Sequence, residues 1–348
     1  MDSLTQAVLG AAVAGAGMGR YHGRRALAYG AALGTLPDLD VFVRYADPVS
    51  SMTYHRGFSH SVFLLALLAT LITWWVTRRH PHRPYSAWRL YLTIAAALIT
   101  HPLLDAFTVY GTQLLWPFAV TPQQWSGVFI IDPLYTLPML LAVIYTLWRG
   151  VRPHTRLLAA TLAWGCVYLA FGTYGQYHHQ QRVAQHLQAQ GITVKRTMAT
   201  PMPFNTLLFR VLAETGEDEY IEAASGWLDR NPPEYIRHRR GHDLEAAVAG
   251  HPLYQRLHWL ADGWLRLDEQ QGWLVVSDLR MGVTGNLTFR FVMAERDAQG
   301  QWQHITPRDY GSRADPRPML ARLWPRIWSD TPPLPLEQWG AQQNGAAE

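Results

Sequence analysis

The chain has 348 residues, room for two domains of ordinary size, with a net charge of +4 and a pI near 9.2. The charge divides unevenly: residues 1–180 hold 12 of 30 basic and 6 of 26 acidic residues, with no glutamate, so that half carries +6 and the remainder −2. The basic pI therefore belongs to an apolar half and argues against a nucleic-acid partner, and the lone Cys166 excludes an intrachain disulfide and any CxxC zinc ribbon and is expected as a buried, inert thiol.

In chain order, the first apolar stretches are weak ones: LTQAVLGAAVAGAGMG (4–19) and ALAYGAALGTLPDLDVFV (26–43). Their small residues suit close helix packing, with Gly15 and Gly19, and Gly30 and Gly34, as small-xxx-small pairs. The N-terminus lacks the basic n-region of a signal peptide. GAGMG (15–19) has the wrong spacing for a dinucleotide fingerprint, and no βαβ pattern follows it. Four strong stretches come next: 61–77, 90–107, 133–148 and 157–175. Each is about the length that a bilayer core of ~30 Å demands. The expected fold is a transmembrane helical bundle of about six spans, two of them weak, over residues 1–176. An extramembrane α+β domain is expected over 177–348.

Arginines cluster at 20–25, 78–89 and 149–156, in the loops between spans 1 and 2, 3 and 4, and 5 and 6. The positive-inside rule sends all three to the cytoplasm, which leaves both termini and the C-terminal domain outside. The opposite helix ends then share the outer face. They carry Asp2, Asp38 and Asp40 of PDLD, His55 and His60 of HRGFSH, His101 and Asp105 of HPLLD, and Asp132.

In HPLLD a spacing of four puts the imidazole and carboxylate about 40° apart, on one helical face. In HRGFSH a spacing of five separates the histidines by about 140° on a helix. They converge only if His55 precedes the helix, with Gly57 as turn former and Ser59 as a candidate N-cap. Pro37 permits irregular backbone at PDLD. Three imidazoles and several carboxylates suit one or two divalent ions, zinc first, with nitrogen and oxygen ligands. Such an ion with an open position supplies a nucleophilic water at neutral pH. His55, His60, His101 and Asp105 are the expected ligands, and Asp38 and Asp40 the expected catalytic carboxylates, one as a further ligand and one as base. Asp2 and Asp132 are expected behind the ligands, orienting histidines. Arg56 reads either as a guide for an anionic substrate or as a snorkelling side chain.

The run MDSLTQAVLGAA, AALGTLPDLD, HRGFSHS and HPLLDAFTVYGTQLLWPF resembles the membrane-bound metal-dependent hydrolases of the YdjM type, over roughly residues 1–180. The resemblance implies an inner-membrane protein whose metal site is made by Asp38, Asp40, His55, His60, His101 and Asp105. In many relatives a histidine stands where this chain has Gln6; if that histidine is a ligand there, its role in this chain is either lost or passed to Asp2. The H-x-x-x-D spacing is also similar to that of the helical zinc phospholipases C, which suggests a phosphoester or lipid-headgroup substrate. A non-enzymatic alternative has a structural metal and a C-terminal domain that binds a partner. A cation transporter is disfavoured, because the ionisable groups sit at one face and not at mid-membrane.

Beyond the spans, 176–191 reads as a polar helix. Residues 200–214, GWLVVSDLRMG, EDEYIEAASGWLD and LTFRFVMAE read as strands, 240–264 as a helix, and the chain after 315 as a Pro-rich tail. RHRRGH (237–242) reads as a solvated loop. His178, His179, His251 and His258 read as core or surface residues, and Asp278 and Arg280 either as an ion pair or as part of a cover over the site.

Overall fold

A computed structural model describes residues 1–283, 286–311, 315 and 317–337. The chain forms two compact units. One comprises residues 1–44 and 54–171; the other comprises 45–53 and 172–348. The short segment 45–53, between PDLD and HRGFSH in sequence, thus groups with the second unit.

The first unit is helical: α1 (Ser3–His22), α2 (Arg24–Thr35), a 3-10 segment (Leu36–Phe42), then, beyond α3 (Pro48–Tyr54), α4 (Val62–Arg79), α5 (Ala87–Ala106), α6 (Pro133–Arg149) and the first half of α7 (Thr155–Ala189). Among the described residues, three stretches are long and apolar enough to cross a membrane: Val62–Arg79, Ala87–Ala106 and Arg152–Ala189. Six helices occupy the six apolar stretches, but of the six expected spans only α4, α5 and α7 are long and apolar enough by that measure; α1, α2 and α6 are not, and α2 is the shortest. Regular helix ends at Thr35, where Pro37 enters a 3-10 segment. Its 12 helical residues rise only about 18 Å. Cys166, expected to be buried, is exposed on α7. A helix apolar on every side hides no more of its thiol than of its leucines.

α1 and α2 cross at their glycines. A Cβ on Gly30 would come within 2.2 Å of the Gly10 carbonyl oxygen, and one on Gly34 within 2.6 Å of that of Gln6. Backbone against backbone leaves no side chain to yield, so only glycine permits this approach. It brings the C-terminal end of α2 beside the N-terminal end of α1. Met1, Leu9, Leu104, Met139 and Leu158 form one core of this unit, and Met18, Leu65, Leu90 and Leu98 another.

The second unit carries two four-stranded antiparallel sheets. The first has strands β1 (Arg196–Pro201), β2 (Leu208–Glu214), β3 (Glu219–Gly226) and β4 (Glu234–Arg239) in that order. After α8 (Pro252–Leu260) come β5 (Leu265–Gln270), β6 (Trp273–Asp278), a ribbon of β7 (Gly282–Val283) and β8 (Asn286–Leu287), then β9 (Arg290–Arg296) and β10 (Trp302–Asp309). The second sheet is ordered β10-β9-β6-β5, and α9 (Arg317–Trp328) closes the described chain. Val183 and Leu187 of α7 pack on Phe209, Val211 and Ile221, while Met319 and Leu323 of α9 pack with Leu208 and Ala224. With both faces covered, β2 and β3 are buried almost end to end and do not alternate, even the charged Arg210 and Glu222 lying inside.

Several local expectations change. The single strand expected at 200–214 is a hairpin. Asn205 Oδ1 accepts from the Leu207 and Leu208 amides, and Phe204 has φ 66°, so the chain reverses between β1 and β2. The helix expected over 240–264 reduces to a 3-10 turn (His242–Ala247) and α8, started by the His251 cap and Pro252. RHRR belongs largely to edge strand β4 and not to a loop; charge on an edge discourages further pairing. The segment expected as a Pro-rich tail contains α9, and residues 338–348 lie outside the described residues. Asp278 and Arg280 form a fully buried ion pair, with Arg280 also donating to the Leu260 carbonyl at 2.8 Å. His179 is buried against Phe209, and His251 caps α8 through Nδ1.

Candidate metal centre

Four chain segments meet where α2 and α5 end and where α1 and α4 begin. His101 lies in the last turns of α5, and its Nδ1 is 2.5 Å from the Gly34 carbonyl. A carbonyl only accepts, so Nδ1 carries a proton and Nε2 is the nitrogen left to coordinate an ion when the ring is neutral. His60 closes a 3-10 turn just before α4 and is wholly buried. Its Nδ1 is 2.9 Å from Ser59 Oγ, which donates to Asp40 Oδ2 at 2.7 Å. With that hydroxyl proton committed to Asp40, Ser59 accepts from His60 Nδ1, which leaves His60 Nε2 as the nitrogen that could coordinate an ion. The two Nε2 atoms face each other at 3.2 Å.

Two carboxylates complete the ring. Asp38 Oδ1 lies 3.4 Å from His60 Nε2 and 3.2 Å from His101 Nε2. Asp105 Oδ2 lies 3.3 Å and 3.5 Å from the same two atoms. A tetrahedron with metal–ligand bonds of about 2.0–2.1 Å has edges of about 3.3 Å. All five of these separations match that edge. Asp105 Oδ2 is moreover buried, ion-paired with Arg56 Nε at 3.1 Å but without a well-aligned hydrogen bond among the described residues. Two imidazole nitrogens and two carboxylate oxygens gathered in one buried ring are unfavourable together unless a cation or proton sits among them. The donor set therefore fits a divalent ion.

Asp38 also belongs to a second group, with Asp40 and His55. His55 precedes the helix, as convergence requires. Its Nδ1 lies 2.9 Å from Asp40 Oδ1, and its ring sits edge-on to His60 and to Tyr110. Asp40 Oδ2 is fully engaged by Ser59 and by the Arg56 amide at 3.1 Å. Asp40 is thus placed to orient His55.

Arg56 does not snorkel. It is buried, its Nε is 3.1 Å from Asp105 Oδ2, its Nη1 donates to Thr108 Oγ1 at 3.1 Å, and its guanidinium covers the Tyr110 ring. Its φ of 58° is strained for a side-chain-bearing residue and places amide and guanidinium on different carboxylates. Gln6 Nε2 donates to Asp105 Oδ1 at 2.9 Å, and the Met1 amino group binds the same oxygen.

Asp2 and Asp132 stand apart from the rings. Asp2 caps α1 through the Thr5 amide, while Asp132 caps α6 and accepts from Tyr168 Oη at 2.9 Å. Each occupies a helix start whose free amides demand an acceptor, and that demand explains their placement. Ser59, expected as a cap, bridges Asp40 and His60 instead; Ser61 caps α4. The Gly34 carbonyl and Ser59 were missed as site groups. Only the adjacency of Gly34 to PDLD and the place of Ser59 inside HRGFSH hinted at them.

The fold and the cluster define a helical membrane protein with a His/Asp centre, able to hold a metal ion, at one end of its bundle. The chain belongs to the YdjM inner membrane protein family, whose model matches residues 1–179. The uncharacterized protein YfhP of Bacillus subtilis (strain 168) is 28% identical over 153 residues, 41% of this chain and 45% of that protein. The match thus spans less than half of the relative. No solved structure matches the chain.

Proposed function

We propose that the protein is an integral membrane, metal-dependent hydrolase that cleaves phosphoester bonds at headgroup depth, with zinc held by Asp38, His60, His101 and Asp105. The facing Nε2 atoms of His60 and His101, ringed by Asp38 and Asp105, carry the metal half of this reading, since nitrogen and oxygen donors at tetrahedral separations suit zinc. A bound divalent ion would polarise a phosphoryl oxygen and bring the pKa of a water down toward ~7. The chain's own contribution is proton management. His55 Nε2 accepts a proton, while Asp40 at Nδ1 fixes the tautomer and stabilises the imidazolium. Ser59 and the Arg56 amide hold Asp40 still for that task. This gives His55 the base role that sequence reasoning gave to an aspartate, and gives Asp38 a ligand role.

Wholly buried His60, His101 and Asp105 would equally serve a structural ion. Partial exposure favours catalysis: the Asp38 and His55 side chains are 23% and 26% accessible, so one side of the cluster is open. The test uses full-length protein in detergent and bis(p-nitrophenyl) phosphate. Nitrophenol release should stop on chelation and return with zinc. His55→Gln should keep its zinc but lose roughly 10²–10⁴-fold in kcat. A zinc-loaded protein no faster than the protein-free control would overturn the phosphoesterase reading.

The orientation proposed with it sends the arginine-rich hairpin tips to the cytoplasm and the site, with the C-terminal domain, to the outer face. Alkaline phosphatase fused after residue 180 should be active. An inactive phosphatase, with a fluorescent cytoplasmic reporter at the same position, would reverse the orientation.

A further inference from the structure

From the helix ends remote from the His/Asp cluster (His22, Tyr85) inward to Ala32 and Leu33, the first unit contains a cavity of about 340 Å³ bounded by α1, α2, α4 and α5. That falls in the roughly 300–1,000 Å³ range of ligand sites. Its wall is apolar, with Met18, Leu33, Ile72 and Ile94 among the lining side chains. Nothing in such a wall would hold water, which needs two to four polar partners.

The rim differs from the wall. His22, Tyr29, Trp75 and Tyr85 border the cavity, and the His22 ring lies 5.2 Å from that of Tyr85. These rings carry a layer of arginines. Arg79 covers Trp75 at 5.5 Å, while Arg20 and Arg89 both cover Tyr21, which packs on Tyr85. Arg83 Nε is buried with no hydrogen-bond partner among the described residues, although Nη1 reaches the His80 carbonyl at 3.4 Å. The two hairpin tips, 20–25 and 78–89, contain seven arginines and no acidic residue. An apolar slot under aromatic rings, topped by uncompensated guanidinium groups, has the polarity of a phospholipid in reverse.

We propose that this cavity is a binding site for an anionic phospholipid, with an acyl chain between α1, α2, α4 and α5 and the phosphate against Arg79 and Arg83. Membrane proteins place basic pockets between helices to bind anionic headgroups. The site is independent of the metal centre, so each stands or falls alone.

Native mass spectrometry of the full chain in detergent, with equimolar phosphatidylglycerol and phosphatidylcholine, tests it. Wild-type protein should retain phosphatidylglycerol roughly ten-fold over phosphatidylcholine. The Arg79→Gln/Arg83→Gln variant, altered only at the helix ends, should bring the two within about two-fold. Ala32 lines the cavity and is exposed, so Ala32→Trp fills it without disturbing the core and should lose both adducts. Equal retention of the two lipids by the wild type would overturn the proposal. So would wild-type retention of phosphatidylglycerol by Ala32→Trp.

Discussion

His101→Ala should lose its metal. In wild-type protein purified without chelators, elemental analysis should give at least one equivalent of a divalent ion, and the variant should fall at least ten-fold below it. Altering a group that merely orients a ligand costs 10–100-fold in metal affinity, and His101 supplies a donor atom itself. Its removal leaves His60 Nε2 with only carboxylates around it and frees the Gly34 carbonyl that set the tautomer. Asp105→Ala is a poorer probe, because it strands the buried Arg56 guanidinium, at a cost of about 3–5 kcal/mol. His55→Gln provides the contrast, since His55 lies outside the four-donor ring and should keep its metal. Full metal content in His101→Ala would refute the ligand assignment.

The second large effect lies in the C-terminal sheet. Glu222 on β3 pairs with Arg210 on β2, and both side chains are 1% accessible. Burial alone would raise the Glu222 carboxyl; the Arg210 guanidinium and the nearby His238 reverse that and hold it at about 2, against 4.5 in a free glutamate. Because the folded value lies below the unfolded one, the stabilisation is complete above pH ~4.5 and lost as pH falls toward ~2. Its size is about 3 kcal/mol. Glu222→Gln leaves Arg210 charged without its counter-ion and should cost about 3–5 kcal/mol at neutral pH. That corresponds to roughly 10 °C in the melting temperature of this unit. Tryptophan-fluorescence melts of the full chain from pH 7 to pH 2 would read both effects, and the variant should show a shallower acid dependence between pH 4.5 and 2. Replacing both partners, as Arg210→Met with Glu222→Leu, should recover most of the loss, although the Leu279 carbonyl then loses the Arg210 Nη1 donor. A Glu222→Gln protein that melts with the wild type would show that the pair contributes little.

Much of the site was legible because its residues occur in compact motifs. HPLLD is a helix-face statement that the 3.6-residue period settles. HRGFSH demanded a break before α4, and Gly57 with the following 3-10 turn supplies it. Legibility failed where partners are remote or where a cap was mistaken for a site. Gln6 and Asp105 are 99 positions apart, and Arg56 meets Thr108 across 52. Asp2 and Asp132 share the acidic character of the site residues, yet their local task of capping takes precedence. The edge strands β4 and β10 were hidden because exposed strands carry charge in place of apolar alternation.

By itself the sequence determined the apolar helices, the polarity of their ends and the set of imidazoles and carboxylates available to a metal. Those depend on local composition and on the helical period. The tertiary structure alone decided that Asp38 serves two groups, that Gly34 and Ser59 fix the tautomers of His101 and His60, and that Arg56 is buried against Asp105. Those properties depend on where a lone pair or proton points once backbones pack glycine to glycine, and no spacing along the chain encodes that direction.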